Sequence, residues 1–154
     1  IMNIQRFAYT PHPRFPGGMP CVDINLSHQG RTLSVSALVD SGSALNILPF
    51  DIGLELGLEW ESQTFPLLLE GTLTGTHAYA VLLRAELAPF SPVDMAFAWM
   101  SRSRPEFRVL LGQVNFFQEF DARGGDWQIP DQPYLIRFFG RTGICQSPLS
   151  VARK

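Results

Sequence analysis

The chain has 154 residues, of which 45% are hydrophobic and 17% charged, a balance that fits one folded domain and excludes a disordered chain. Its formal net charge of -2 gives no electrostatic footprint for nucleic acid or an anionic membrane surface. No apolar run approaches the roughly 20 residues that span a bilayer.

Taken in order, residues 1–18 hold three prolines and the pair Gly17-Gly18, and read as an extended arm. Val22, Ile24 and Leu26 then alternate with Asp23 and Asn25, the period of a half-buried strand. His28-Gln29-Gly30-Arg31 turns the chain into a second strand, in which Leu33, Val35 and Ala37 alternate with Thr32, Ser34 and Ser36. A short apolar strand from Leu45 and a short helix closing at Gly57 follow, with Pro49 suited to an element start and Gly57 to a C-terminal cap. Residues 60–70 and 76–87 read as strands around Gly71-Thr72-Leu73-Thr74-Gly75, and residues 93–100 as another. Gly124-Gly125 separates a strand around Phe120 from one around Trp127-Gln128-Ile129, and residues 140–154 read as a loosely attached tail. Many short strands with glycine turns and one or two short helices predict an all-β barrel or sandwich.

The strand ending at Val39 delivers Asp40-Ser41-Gly42-Ser43: one carboxylate, two hydroxyls and a glycine in four positions. Those residue types also make ordinary turns and helix caps, so the tetrapeptide alone does not decide its role. Two further segments stand with it. Downstream come Leu48-Pro49 and the helix ending in Leu56-Gly57-Leu58, and late in the chain Leu110-Leu111-Gly112 precedes Phe116-Phe117-Gln118-Glu119-Phe120-Asp121.

In this order the segments resemble the retropepsins and their bacterial relatives, the single-domain aspartic peptidases, over roughly residues 19–129. The resemblance implies a closed acid-protease barrel over residues 19–139. It makes Asp40 the catalytic acid and 71–75 the flap. It makes Leu110-Leu111-Gly112 the strand packed beside the catalytic loop. Gln113 departs from the retroviral pattern, which has Arg after this glycine. Peptide hydrolysis by this chemistry uses two carboxylates sharing one proton around a water molecule. The chain carries one such loop: Asp51-Ile52-Gly53 lacks the hydroxyl, and Asp121 and Asp126 have no matching turn. The family therefore implies a two-fold homodimer acting on a peptide or protein substrate. Ser41 would bond across the axis, Gly42 would let its N–H face the carboxylate, and Ser43 would donate to the outer carboxylate oxygen. The competing function class is a non-catalytic dimerisation or peptide-binding module of the same fold.

Other chemistries find less support. His12, His28 and His77 have no metal-ligand spacing, and neither a metal nor another cofactor is expected. Gly42-Ser43-Ala44 is not a Gly-X-Ser-X-Gly elbow, Cys145 lacks an orienting histidine, and there is no glycine-rich phosphate loop. Cys21 and Cys145 are too sparse for a disulfide framework and are expected to be reduced. Residues 1–6 lack a signal peptide's apolar core, so Asn25-Leu26-Ser27 reads as a chance sequon and the expected location is cytoplasmic.

Overall fold

The computed structural model describes residues 4–69, 73–103, 108–124 and 135–140. Most of the segment expected as an arm is organised strand: β1 (Ile4–Ala8), β2 (Thr10–His12) and β3 (Phe15–Met19). Proline is tolerated on edge strands, and β2 and β3 form a sheet of their own with two edges, which houses Pro11 and Pro16. Phe7 and Tyr9 anchor this segment by packing against the main core.

β4 (Cys21–His28) and β5 (Arg31–Val39) form the expected antiparallel hairpin, with His28 opposite Arg31 and Cys21 opposite Leu38. Gln29 and Gly30 close it, both at positive φ (45° and 83°), the combination whose twist matches two flanking strands. β6 (Ile47–Leu48) leads through Pro49 into α1 (Phe50–Glu55). That helix ends as a Schellman motif around Gly57: Leu58 N–H donates to Gly53 O and Gly57 N–H to Leu54 O, both at 2.9 Å.

The strand expected over residues 60–70 is largely absent. Trp60–Ser62 is a 3-10 turn, and β7 spans only Pro66–Leu68. Aromatic packing accounts for the difference: Trp60 meets Phe50, Tyr79 and Trp99 at ring separations of 5.6, 4.7 and 5.1 Å, which draws it onto the barrel and out of line with β7. β8 (His77–Glu86) and β9 (Val93–Met100) pair along their length, and β10 (Val109–Leu111), α2 (Phe116–Glu119), β11 (Phe120–Gly124) and β12 (Leu135–Gly140) complete the chain. The strand read around residues 127–129 and the tail beyond 140 lie outside the described residues.

Hydrogen bonding runs β4-β5-β10-β6-β9-β8, and β8 returns to β4 through Asn25–Glu86, Leu26–Ala85 and Ser27–Arg84, so six strands close on themselves. β7 adds to the other half of β8's free edge, and β1, β12 and β11 form a separate three-stranded sheet. Inward-facing residues fill the barrel: Ile24 and Leu26 from β4, Ala37 from β5, Leu83 from β8, Phe97 and Trp99 from β9, and Leu111 from β10. A second cluster, Ile47, Leu69, Ala78, Ala98 and Met100, occupies the opposite face of β9. Both faces of β9 are thus buried, which explains its nearly unbroken apolar sequence. α1 lies against Trp99, whose indole N–H donates to Phe50 O at 3.1 Å. A Cβ at Gly53 would overlap that indole, so glycine there sets how closely the helix approaches the barrel.

Candidate active site

β5 ends at Val39, and the chain leaves the barrel through a tight turn in which Ser43 N–H returns to Asp40 O at 3.1 Å. Asp40 is half-buried at the root of this turn, and Ser41 and Gly42 are exposed at its tip. The carboxylate folds back over the turn, its Oδ1 accepting from Gly42 N–H at 2.9 Å. A Cβ on Gly42 would stand 3.2 Å from that oxygen, tight enough to press the carboxylate away. The Ser43 hydroxyl, expected to donate to the carboxylate, donates instead to Leu45 O at 2.6 Å. It thereby ties the descending limb of the loop to itself and does not contact Asp40.

β10 is what positions the loop. It runs parallel to β5, with Leu111 opposite Val39, and antiparallel to β6, with Leu110 opposite Ile47. The late segment therefore threads between the two strands that enter and leave the Asp40 turn. Contacts continue past the strand's end. Asp40 N–H donates to Leu111 O, Gln113 N–H to Ser43 O and Val114 N–H to Ala44 O, each at 2.9 Å. Gly112 passes so close that a Cβ would lie 2.5 Å from Leu45 O and 2.7 Å from Ser43 O. The packing of Leu110-Leu111-Gly112 beside the acidic loop thus follows from backbone pairing, Leu111 burial and a glycine with no room for a side chain.

Three polar residues in this support are not apparent from sequence pattern. Asn46 is 1% exposed, yet both ends of its amide are bonded: its Oδ1 accepts from Gly112 N–H at 2.8 Å and its Nδ2 donates to Ala96 O at 3.0 Å. Asn115 Oδ1 accepts the Ala96 N–H at 2.9 Å. Gln113 Nε2 donates to Ser41 O at 2.7 Å. The available signal is Asn46 itself, a lone amide inside the apolar run Leu45-Asn46-Ile47-Leu48, because a polar group buried there must find partners.

Of the flap candidates, Gly71 and Thr72 lie outside the described residues. Leu73, Thr74 and Gly75 form a turn between β7 and β8, closed by Thr76 N–H on Leu73 O at 3.0 Å, with Gly75 at φ 81°. Leu73 packs against the second cluster, as do Leu45 of the acidic loop and Leu110 of β10. A shallow depression of about 410 Å³, lined by His28, Gly30, Arg84 and Glu86 among others, sits at the opposite end of β5 from Asp40. Among the described residues, no three His, Cys, Asp or Glu side chains gather as a metal site, and no helix is long and apolar enough to cross a membrane. Cys21 is a buried free thiol, while Cys145 lies outside the described residues.

The architecture is that of a retropepsin-like fold. It is similar to the crystal structure of a retropepsin-like aspartic protease from Rickettsia conorii, with a TM-score of 0.59 over 92% of this chain and 97% of that one. The two chains share 12% sequence identity, so the likeness lies in the fold. No protein-family model matches the chain, and no curated protein matches it in sequence.

Proposed function

We propose that this chain is an aspartic endopeptidase, working as a homodimer in which each subunit contributes Asp40 to a shared pair. The observation that carries the reading is the Asp40 carboxylate, held by Gly42 N–H at the mouth of an exposed turn that β10 braces from behind. In the pair, one carboxylate takes a proton from water as the water oxygen attacks the peptide carbonyl carbon. The other, protonated, hydrogen-bonds the carbonyl oxygen as negative charge develops there. Collapse of the tetrahedral intermediate returns a proton to the departing amine. The Rickettsia protein's fold supports this class of chemistry, as do the type and order of residues in the loop.

The test is cleavage of a diverse peptide library by wild type and by Asp40→Asn. The variant is nearly isosteric and should fold, and because it removes both carboxyls of the symmetric pair, the rate should fall beyond the roughly 10²–10⁴-fold of one acid–base contact. Equal cleavage by the two proteins refutes the reading. Peptide binding without any cleavage points to the non-catalytic module.

A further inference from the structure

The turn that carries Asp40 has one peptide plane whose orientation decides what the carboxylate meets, the plane joining Ser41 to Gly42. Its N–H belongs to Gly42 and donates to Asp40 Oδ1 at 2.9 Å. Its oxygen belongs to Ser41 and accepts from Gln113 Nε2 at 2.7 Å. A trans peptide is planar, with N–H and C=O pointing in opposite directions, so holding the oxygen aims the hydrogen.

Without a clamp, this plane has a second orientation within reach. Ser41 and Gly42 are the two central residues of the turn closed by Ser43 N–H on Asp40 O. Turns of types I and II differ by a flip of the central peptide, and type II requires positive φ at its second central residue, where glycine meets no steric penalty. Gly42 does not adopt positive φ here. In the flipped turn the Ser41 oxygen, not the Gly42 hydrogen, would face the carboxylate. The glycine that makes room for Asp40 therefore also permits the flipped turn without steric penalty, and its own conformational freedom does not select between the two.

We propose that Gln113 is a positioning residue that makes this selection: its side-chain amide holds the Ser41–Gly42 peptide in the orientation that presents N–H to Asp40. Gln113 is equipped for the task because its own backbone is fixed. Its N–H donates to Ser43 O, and the following Val114 N–H donates to Ala44 O. The two hydrogen bonds of the Ser41–Gly42 plane run in series, from amide through peptide to carboxylate, and each polarises the next. The effect on rate rests on the aspartic-peptidase reading, whereas the clamp itself does not.

The experiment measures the solvent-exchange rate of the Gly42 amide proton by NMR in ¹⁵N-labelled wild type, Gln113→Met and Gln113→Glu. In parallel, kcat and KM are measured on a peptide that wild type cleaves. Gln113→Met keeps the length of the stem and removes the donor. Loss of one neutral hydrogen bond should speed Gly42 exchange and lower kcat by about fivefold each, with KM and the thermal midpoint nearly unchanged. Gln113→Glu keeps the shape and, ionised, has no proton to offer, so it should behave alike and serves if the Met variant misfolds. Unchanged Gly42 exchange in the folded variants overturns the proposal, and failure of both variants to fold also overturns it by making Gln113 structural. If wild type cleaves nothing while Gly42 exchange still rises in the variants, the clamp stands and the peptidase reading falls. If wild type cleaves and the variants retain both Gly42 protection and kcat, the peptidase reading stands and the clamp falls.

Discussion

Gly112 shows how a single residue without a side chain can set the geometry of a site. The carbonyl oxygens of Ser43 and Leu45 close over its Cα and leave no room for a Cβ, which would lie 2.7 Å from the first and 2.5 Å from the second. Both oxygens belong to the backbone, so relief requires the Asp40 loop or β10 to move as a unit. Gly112→Ala is therefore expected to destabilise by an overpacking cost on the order of 1–3 kcal/mol, with Gly112→Val worse. For a domain of this size, each kcal/mol lowers the thermal midpoint by roughly 2–4 °C. Calorimetry of the two variants checks the order, and a midpoint equal to wild type in Gly112→Val would refute the close approach. On the proposed peptidase reading, cleavage should also slow in these variants, because the displaced backbone is the one that accepts Gln113 N–H at Ser43 O.

At the scale of elements, β10 carries more than its three residues suggest, since it joins β5 to β6 and contributes Leu111, 0% exposed, to the core. Leu111→Ala should cost on the order of 2–5 kcal/mol, because a cavity between two paired strands cannot collapse without breaking their register. Urea unfolding measures it, and a midpoint near wild type would mean that β10 is not braced in the barrel. Elements defined by local pattern were legible in the sequence. The β4–β5 hairpin is written in its alternation and in Gln29-Gly30, β9 in an apolar run broken only by Asp94, and the acidic turn in Asp40-Ser41-Gly42-Ser43. Elements set by distant partners were not. Trp60 follows Phe50, Tyr79 and Trp99 into a 3-10 turn, and β1 is a strand because residues 135–140 lie beside it. The same division runs through the site: Asp40 announces itself, whereas Gln113 and Asn46 act on residues 72 and 66 positions away.

For the whole molecule, the arithmetic of carboxylates sets the strongest expectation. Each chain carries one Asp-Ser-Gly-Ser turn, with Ser41 and Gly42 exposed at its tip, while the proposed chemistry needs two carboxyls sharing a proton. In the proposed homodimer, a two-fold axis through that tip would supply the second from an identical chain. Specific activity should therefore fall on dilution as dimers dissociate, and it should recover on concentration. Mixing gives a sharper test. When wild type and Asp40→Asn are combined in equal amounts and allowed to exchange subunits, about one quarter of the dimers carry two Asp40 residues, so activity should fall to about a quarter of that of the same total protein as wild type. An enzyme whose site is complete in one chain would keep about one half, since each wild-type chain works regardless of its neighbour. Sedimentation velocity on the same samples reports whether subunits are paired, and a monomer with full activity, or a mixture that keeps half, would refute the shared site.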